Sequence, residues 1–120
     1  MHIPSESLAN SVNLSAASLD YGQSEVEANE LELSSFTDKL PRLNDAKIAF
    51  HCRLYDIHPV GESSFDACYL EVVSVYVDDE AIRQDGDRTY IDSDIIRPLG
   101  RLGGNDFALY GGKMTLKRPN

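Results

Sequence analysis

Arg97-Pro98-Leu99-Gly100-Arg101-Leu102-Gly103-Gly104-Asn105-Asp106-Phe107 places three glycines and a central arginine near the end of an acidic, strand-rich chain. Glycine tolerates positive φ and lets backbone approach a neighbour closely. Gly100, Gly103 and Gly104 therefore predict a bent connection with exposed amides rather than the interior of a strand or helix. Arg101 beside them carries a planar cation suited to a phosphate, a carboxylate or the face of a conjugated ring. On residue types alone two readings stay open. One is a glycine-rich turn leading into a last hairpin, with Arg101 solvated; the other is a loop whose amides and guanidinium meet a ligand.

Working outward, the pattern alternates from Lys47 to Ile57: Ile48, Phe50, Cys52 and Leu54 point one way, Lys47, His51 and Arg53 the other. Such alternation predicts a half-buried strand. Pro59 to Ser64 turns the chain, and Asp66 to Val77 returns as a second strand. Its apolar residues Leu70, Val72, Val73, Val75 and Val77 are too continuous for one wet face, so the strand is expected to be central or bulged. A helical turn over Asp92–Ile96 is stopped by Pro98. Ala108–Tyr110 and Lys113–Lys117 are expected to close the fold as a hairpin around Gly111-Gly112. Towards the other end, Ser5 is a candidate N-cap for a helix over Glu6–Ser15, and Glu25–Leu31 predicts a second short helix.

The 120 residues allow one domain at most, and a domain this small buries only about two-thirds of its unfolded surface. Twenty acidic residues against 11 basic ones give a net charge of -9, a field that disfavours nucleic acid and anionic membranes as partners. No apolar run approaches the roughly 20 residues that cross a bilayer, and Met1-His2-Ile3-Pro4 does not resemble a signal peptide. A cytoplasmic protein is expected. Cys52 and Cys68 are then reduced core thiols, although their places in one hairpin make pairing conceivable. His2, His51 and His58 are too dispersed to predict a metal site. The acidic groups Asp78-Asp79-Glu80, Asp85-Gly86-Asp87 and Asp92-Ser93-Asp94 lack calcium-loop order and read as turn and helix-cap residues. No Gly-x-Ser-x-Gly elbow and no Gly-x-Gly-x-x-Gly turn after a strand is present, so a serine hydrolase and a dinucleotide fold lack support.

Several segments, in order, resemble the flavin reductase-like FMN-binding proteins. Pro98 to Gly104 matches that family's Pro-x-Gly-Arg-Leu-Gly-Gly segment, with Phe107 as the following aromatic residue and Met114–Pro119 as the closing Lys-Arg-Pro end. Ile3-Pro4-Ser5-Glu6-Ser7-Leu8 is similar to the start of the family's helix, and Gly22-Gln23-Ser24-Glu25 to its Gly-x-Ser-Glu-Phe turn. Phe50-His51-Cys52-Arg53-Leu54 is similar to its Phe-Glu-Cys-Arg-Leu strand, and Gly61 with Glu71-Val72-Val73 to the hairpin around it. Departures are His2 for a frequent Asn, Val26 for Phe, Phe107 for Tyr and Leu109 for Arg.

The resemblance implies a mainly β fold with short helices, an incomplete Greek-key split β-barrel of the FMN-binding type. Residues 1–120 would form the C-terminal portion of one domain, with a helical segment at 5–33 and barrel strands and loops at 44–118. In the family, strands preceding the Ile-Pro-Ser helix supply most contacts to the flavin phosphate and ribityl chain. The implied activity is NAD(P)H-dependent reduction of flavin, with FMN bound, or FAD taken as substrate, and a monooxygenase or another acceptor receiving the electrons. A homodimer is implied as well. Arg101, Gly103 and Gly104 are the residues expected at the flavin; no catalytic acid, base or nucleophile is implied, because the cofactor carries the chemistry. The alternative is a non-catalytic flavin-binding or interaction module, inactive because the N-terminal half of the flavin site is absent.

Overall fold

The computed structural model describes residues 1–119; Asn120, the last residue of the expected 1–120 domain, lies outside them. In chain order, β1 (His2–Ile3) leads through a 3-10 turn (Glu6–Leu8) into α1 (Ala9–Leu14), and α2 (Glu25–Ala28) follows. Next come β2 (Leu33–Ser35), β3 (Pro41–Leu43), β4 (Ile48–Pro59) and β5 (Asp66–Val77). A second 3-10 turn (Asp79–Ala81) precedes β6 (Ile82–Asp85), β7 (Arg88–Ile91), α3 (Ser93–Ile96), β8 (Gly100–Gly103) and β9 (Asp106–Ala108). The fold is mainly β with short helices, and the described strands do not close a barrel. They form one three-stranded sheet in the order β1-β4-β5 and three separate hairpins, β2-β3, β6-β7 and β8-β9.

The long β4-β5 hairpin follows from the alternation in its sequence. Two register shifts, between His51 and Cys52 and between Leu54 and Asp56, each admit one extra residue. Val73 is the extra residue on β5 and Tyr55 the one on β4. Because a bulge absorbs one residue, the apolar positions stay on one face past both shifts. The result is a stripe of five facing pairs: Ile48–Val77, Phe50–Val75, Cys52–Val72, Leu54–Leu70 and Ile57–Cys68. Cys52 and Cys68 thus face different partners and remain free thiols. Cys68 is exposed, which corrects the expectation that both are core residues.

Only the first pair of the stripe is covered. Ile48, Ala81 and Ile96 form the buried core, with Ile3, Phe50, Val77 and Ile95 packed around it. The acidic groups place α3 and the 3-10 turn on this core. Asp78 accepts a hydrogen bond from the Glu80 amide and Asp92 one from the Asp94 amide, as N-caps do. Asp85-Gly86-Asp87 turns β6 into β7, with Gly86 at φ 58°.

Several local expectations shift. The Glu6–Ser15 helix begins as a 3-10 turn, and Ser5 makes no capping bond, because its buried hydroxyl pairs with Ser7 Oγ at 2.7 Å. The second helix stops at Ala28, where the chain leaves through Glu30 at φ 52°. The closing hairpin around Gly111-Gly112 does not form. The glycine segment 100–104 is itself the hairpin, and 109–119 carries no strand because no neighbouring edge pairs with it. Two hairpins, β2-β3 and β6-β7, were not foreseen from the sequence.

Candidate functional site

The glycine-rich segment is positioned from both sides. Arg97 ends α3 in the left-handed region at φ 46°, and Pro98 bridges to Ser5, so the chain leaves towards the start of the 3-10 turn at Glu6. The Leu99 amide donates to Pro4 O at 2.9 Å and the Glu6 amide to Arg97 O at 3.0 Å. At Gly100 the reason for glycine is close approach: a Cβ there would lie 3.1 Å from the Ala108 Cβ across the hairpin. At Gly103 and Gly104 the reason is conformation, with φ of 110° and 52° and nothing within 4 Å of where a Cβ would stand on either.

The structure brings all three expected site residues, Arg101, Gly103 and Gly104, onto this one exposed turn. Arg101 folds back over it. Its Nη2 donates to Gly104 O, its Nη1 to Asp106 O at 3.4 Å, and its guanidinium carbon lies 4.7 Å from the Phe107 ring centroid. These are carbonyl and ring contacts, and among the described residues no carboxylate pairs with the guanidinium. Arg97, four residues earlier, is paired instead with a carboxylate: its Nε donates to Glu6 Oε2 at 2.8 Å.

Around that ion pair lies a polar cluster the sequence did not reveal. Glu6 Oε1 accepts from the Tyr110 amide at 2.7 Å, and Tyr110 Oη lies 2.9 Å from both Ser93 Oγ and Asp94 Oδ1. Lys113 Nζ reaches Asp94 Oδ2 at 3.0 Å. The Arg97 hydrogen bond, together with the Tyr110 amide, holds the Glu6 carboxyl below its ordinary value. Lys113 and then Tyr110 do the same for Asp94, and Asp94 in turn raises the Lys113 ammonium. The partners span up to 104 residues in sequence, so no local pattern could have signalled the cluster. Its effect is to tie the segment after β9 to α3 and to the first 3-10 turn.

A mostly apolar cleft of about 300 Å³ opens on the helical side, with Pro4, Leu8, Val12, Val26 and Leu31 on its walls and His2 at its edge. His2 Nε2 accepts a hydrogen bond from the Leu43 amide at 3.1 Å, which requires that nitrogen to be unprotonated. Burial first, then the terminal ammonium and Arg42, lower the His2 pKa from its ordinary 6.5. The glycine hairpin does not contribute to this cleft.

Comparison with known proteins adds the following. A family model described as a flavin reductase like domain matches residues 2–95. An uncharacterized protein of Halalkalibacterium halodurans is 32% identical over 99% of this chain and 57% of its own length. An uncharacterized Bacillus subtilis protein, YwrF, is 29% identical over the whole chain and 60% of its own length. The chain therefore spans about three-fifths of the length of these two curated relatives. Among solved structures, the 2-nitrobenzoate 2-nitroreductase of Pseudomonas fluorescens superposes with a TM-score of 0.80 at 29% identity, covering 99% of this chain and 58% of the other. The nitrilotriacetate monooxygenase component B of Bacillus cereus gives 0.78 at 28% identity, covering 96% and 57%. A split barrel domain protein from Shewanella frigidimarina gives 0.79 at 22% identity, over 99% of this chain and 58% of the other, and shows the shared fold.

Proposed function

The chain belongs to the flavin reductase-like domain family, and from that membership we propose that it serves the NAD(P)H-dependent reduction of a flavin, with FMN as the bound cofactor. The observation that carries this reading is the family match over residues 2–95, most of the chain. Bound FMN, or FAD taken as substrate, supplies the hydride-accepting ring, and the chain's residues bind and orient it. Arg101 supplies a cation with no carboxylate partner among the described residues, at an open turn where nothing lies within 4 Å of the positions a Cβ on Gly103 or Gly104 would take. These groups fit one edge of an anionic, planar ligand. They do not form a full cradle, so on this reading the rest of the site comes from chain outside these residues, and residues 1–120 act as the C-terminal portion of one flavin reductase-like domain.

The same reading has the protein acting in the cytoplasm as a homodimer. No helix among the described residues is long and apolar enough to cross a membrane. Support for a monooxygenase as electron acceptor comes from the likeness to a monooxygenase component B.

One observation favours the second reading, a non-catalytic flavin-binding or interaction module. Arg101 hydrogen-bonds its own turn, and the hairpin carrying it borders no cleft described above. A titration separates the two. Under the first reading, micromolar protein quenches FMN fluorescence, Arg101→Ala weakens that binding roughly tenfold, the loss of one charge-assisted contact, and NADH or NADPH bleaches the bound flavin. Binding without bleaching selects the module. Absence of quenching at every soluble concentration defeats flavin binding by this chain, and unchanged affinity in Arg101→Ala removes that side chain from the site.

A further inference from the structure

Both ends of the glycine hairpin close on one carboxylate. Glu6 Oε2 accepts from Arg97 Nε at 2.8 Å, just before β8, and Glu6 Oε1 accepts from the Tyr110 amide at 2.7 Å, just after β9. The Glu6 amide adds a third bond, to Arg97 O at 3.0 Å. Glu6 thus holds Arg97 by both its side chain and its carbonyl. Arg97 needs such holding, because a non-glycine residue at φ 46° and ψ 63° keeps that conformation only where its surroundings fix it.

Little else restrains the hairpin. β8 and β9 pair with each other and with no other strand among the described residues, and Leu102 is exposed. Where the turn points is therefore set at its base, where the Glu6 side chain is 20% exposed. The chemistry of that base calls for a carboxylate. Both groups that reach it are N–H donors, and a carboxylate presents an acceptor oxygen to each. A glutamine in the same place has one acceptor oxygen and an NH2 that opposes a donor, so it serves one end only.

We propose that Glu6 is a positioning residue: it clasps the two ends of the β8-β9 hairpin and so fixes where Arg101 is presented to an anionic, planar ligand. Arg101 and Phe107 face each other across the hairpin and touch, guanidinium to ring. One strand runs from Arg97 to the first of them, and the other from the second to Tyr110. A clasp on Arg97 and Tyr110 therefore holds both halves of that contact. The role towards ligand rests on the flavin reading above; the clasp itself does not.

Amide hydrogen exchange tests the clasp without flavin. In Glu6→Ala the Tyr110 amide exchanges roughly tenfold faster or more, while the Asp92 amide, which donates to Ala81 O in the core, keeps its rate. An unchanged Tyr110 amide overturns the clasp. Equal acceleration at Asp92 overturns it too, since Glu6 then supports the whole fold. FMN titration tests the positioning. Glu6→Gln, close in shape but unable to serve both ends, weakens FMN binding by roughly three- to tenfold, no more than Arg101→Ala does. Added to Arg101→Ala it costs nothing further, because Glu6 acts through Arg101. Additive losses, or unchanged affinity in Glu6→Gln, overturn the positioning role. If the unaltered chain does not bind FMN, the flavin reading fails and takes the role towards ligand with it, and the exchange rates still decide the clasp.

Discussion

Single side chains set how this molecule responds to acid. His2 is held neutral by burial and by its accepted bond from Leu43, so its folded pKa lies below 6.5. A group with a lowered pKa contributes stability that is complete above its unfolded value and is lost as pH falls through its folded value. The His2 contribution therefore begins to be lost first, below 6.5. Glu6 and Asp94, lowered from 4.5 and 3.8, begin to lose theirs only below those values. Urea unfolding measured across pH is expected to show these two successive losses, and His2→Ala should remove the first while leaving the second. A single loss, identical in both proteins, would show that the Leu43 contact does not depend on the state of His2.

Individual hairpins depend on different chemistry from the core. In β8-β9, Gly103 sits at φ 110° with open space around it, so Gly103→Ala meets no clash and adds only backbone strain, about 1–3 kcal/mol. Chemical denaturation would measure that cost, and a neutral result would mean that the turn relaxes to negative φ. This hairpin was legible in the sequence as a glycine bend but not as a ladder, because Gly100-Arg101-Leu102-Gly103 lacks the β-branched residues that mark strands. The β6-β7 hairpin did carry a signal. Gly86-Asp87 is a favoured hairpin dipeptide between Ile82-Arg83-Gln84-Asp85 and Arg88-Thr89-Tyr90-Ile91, and the reading of that acidic run as a turn stopped short of the flanking strands. For β2-β3 the three-residue strands are too short for periodicity to show.

The distribution of buried surface across the molecule predicts where stability resides. Its radius of gyration is 17.0 Å, against about 14 Å for a compact domain of this length, because the outer half of β4-β5 projects beyond the core. Ile96 is 3% exposed and packs on Ile48 and Ala81, so Ile96→Ala should cost about 2–5 kcal/mol. Leu54, at 60% exposed, should cost about 0.5 kcal/mol or less when changed to Ala. Thermal or urea unfolding of the two variants checks the contrast. Equal costs would mean that the stripe is already covered in solution.

The long β4-β5 pairing, its apolar stripe, the helical turn before Pro98 and the glycine bend were all present in the order of residues. Each depends on interactions between near neighbours or on a period-2 pattern that survives bulging. The placement of Arg101, Gly103 and Gly104 on one turn followed from their adjacency. Tertiary structure alone decided that Arg97 pairs with Glu6 while Arg101 turns back onto its own hairpin, that Tyr110 anchors the last segment, and that Cys68 is exposed. Those outcomes depend on groups up to 104 residues apart meeting in space, and on which strand edges find a partner. An apolar stripe encodes the need for cover; whether cover is present depends on what packs against it.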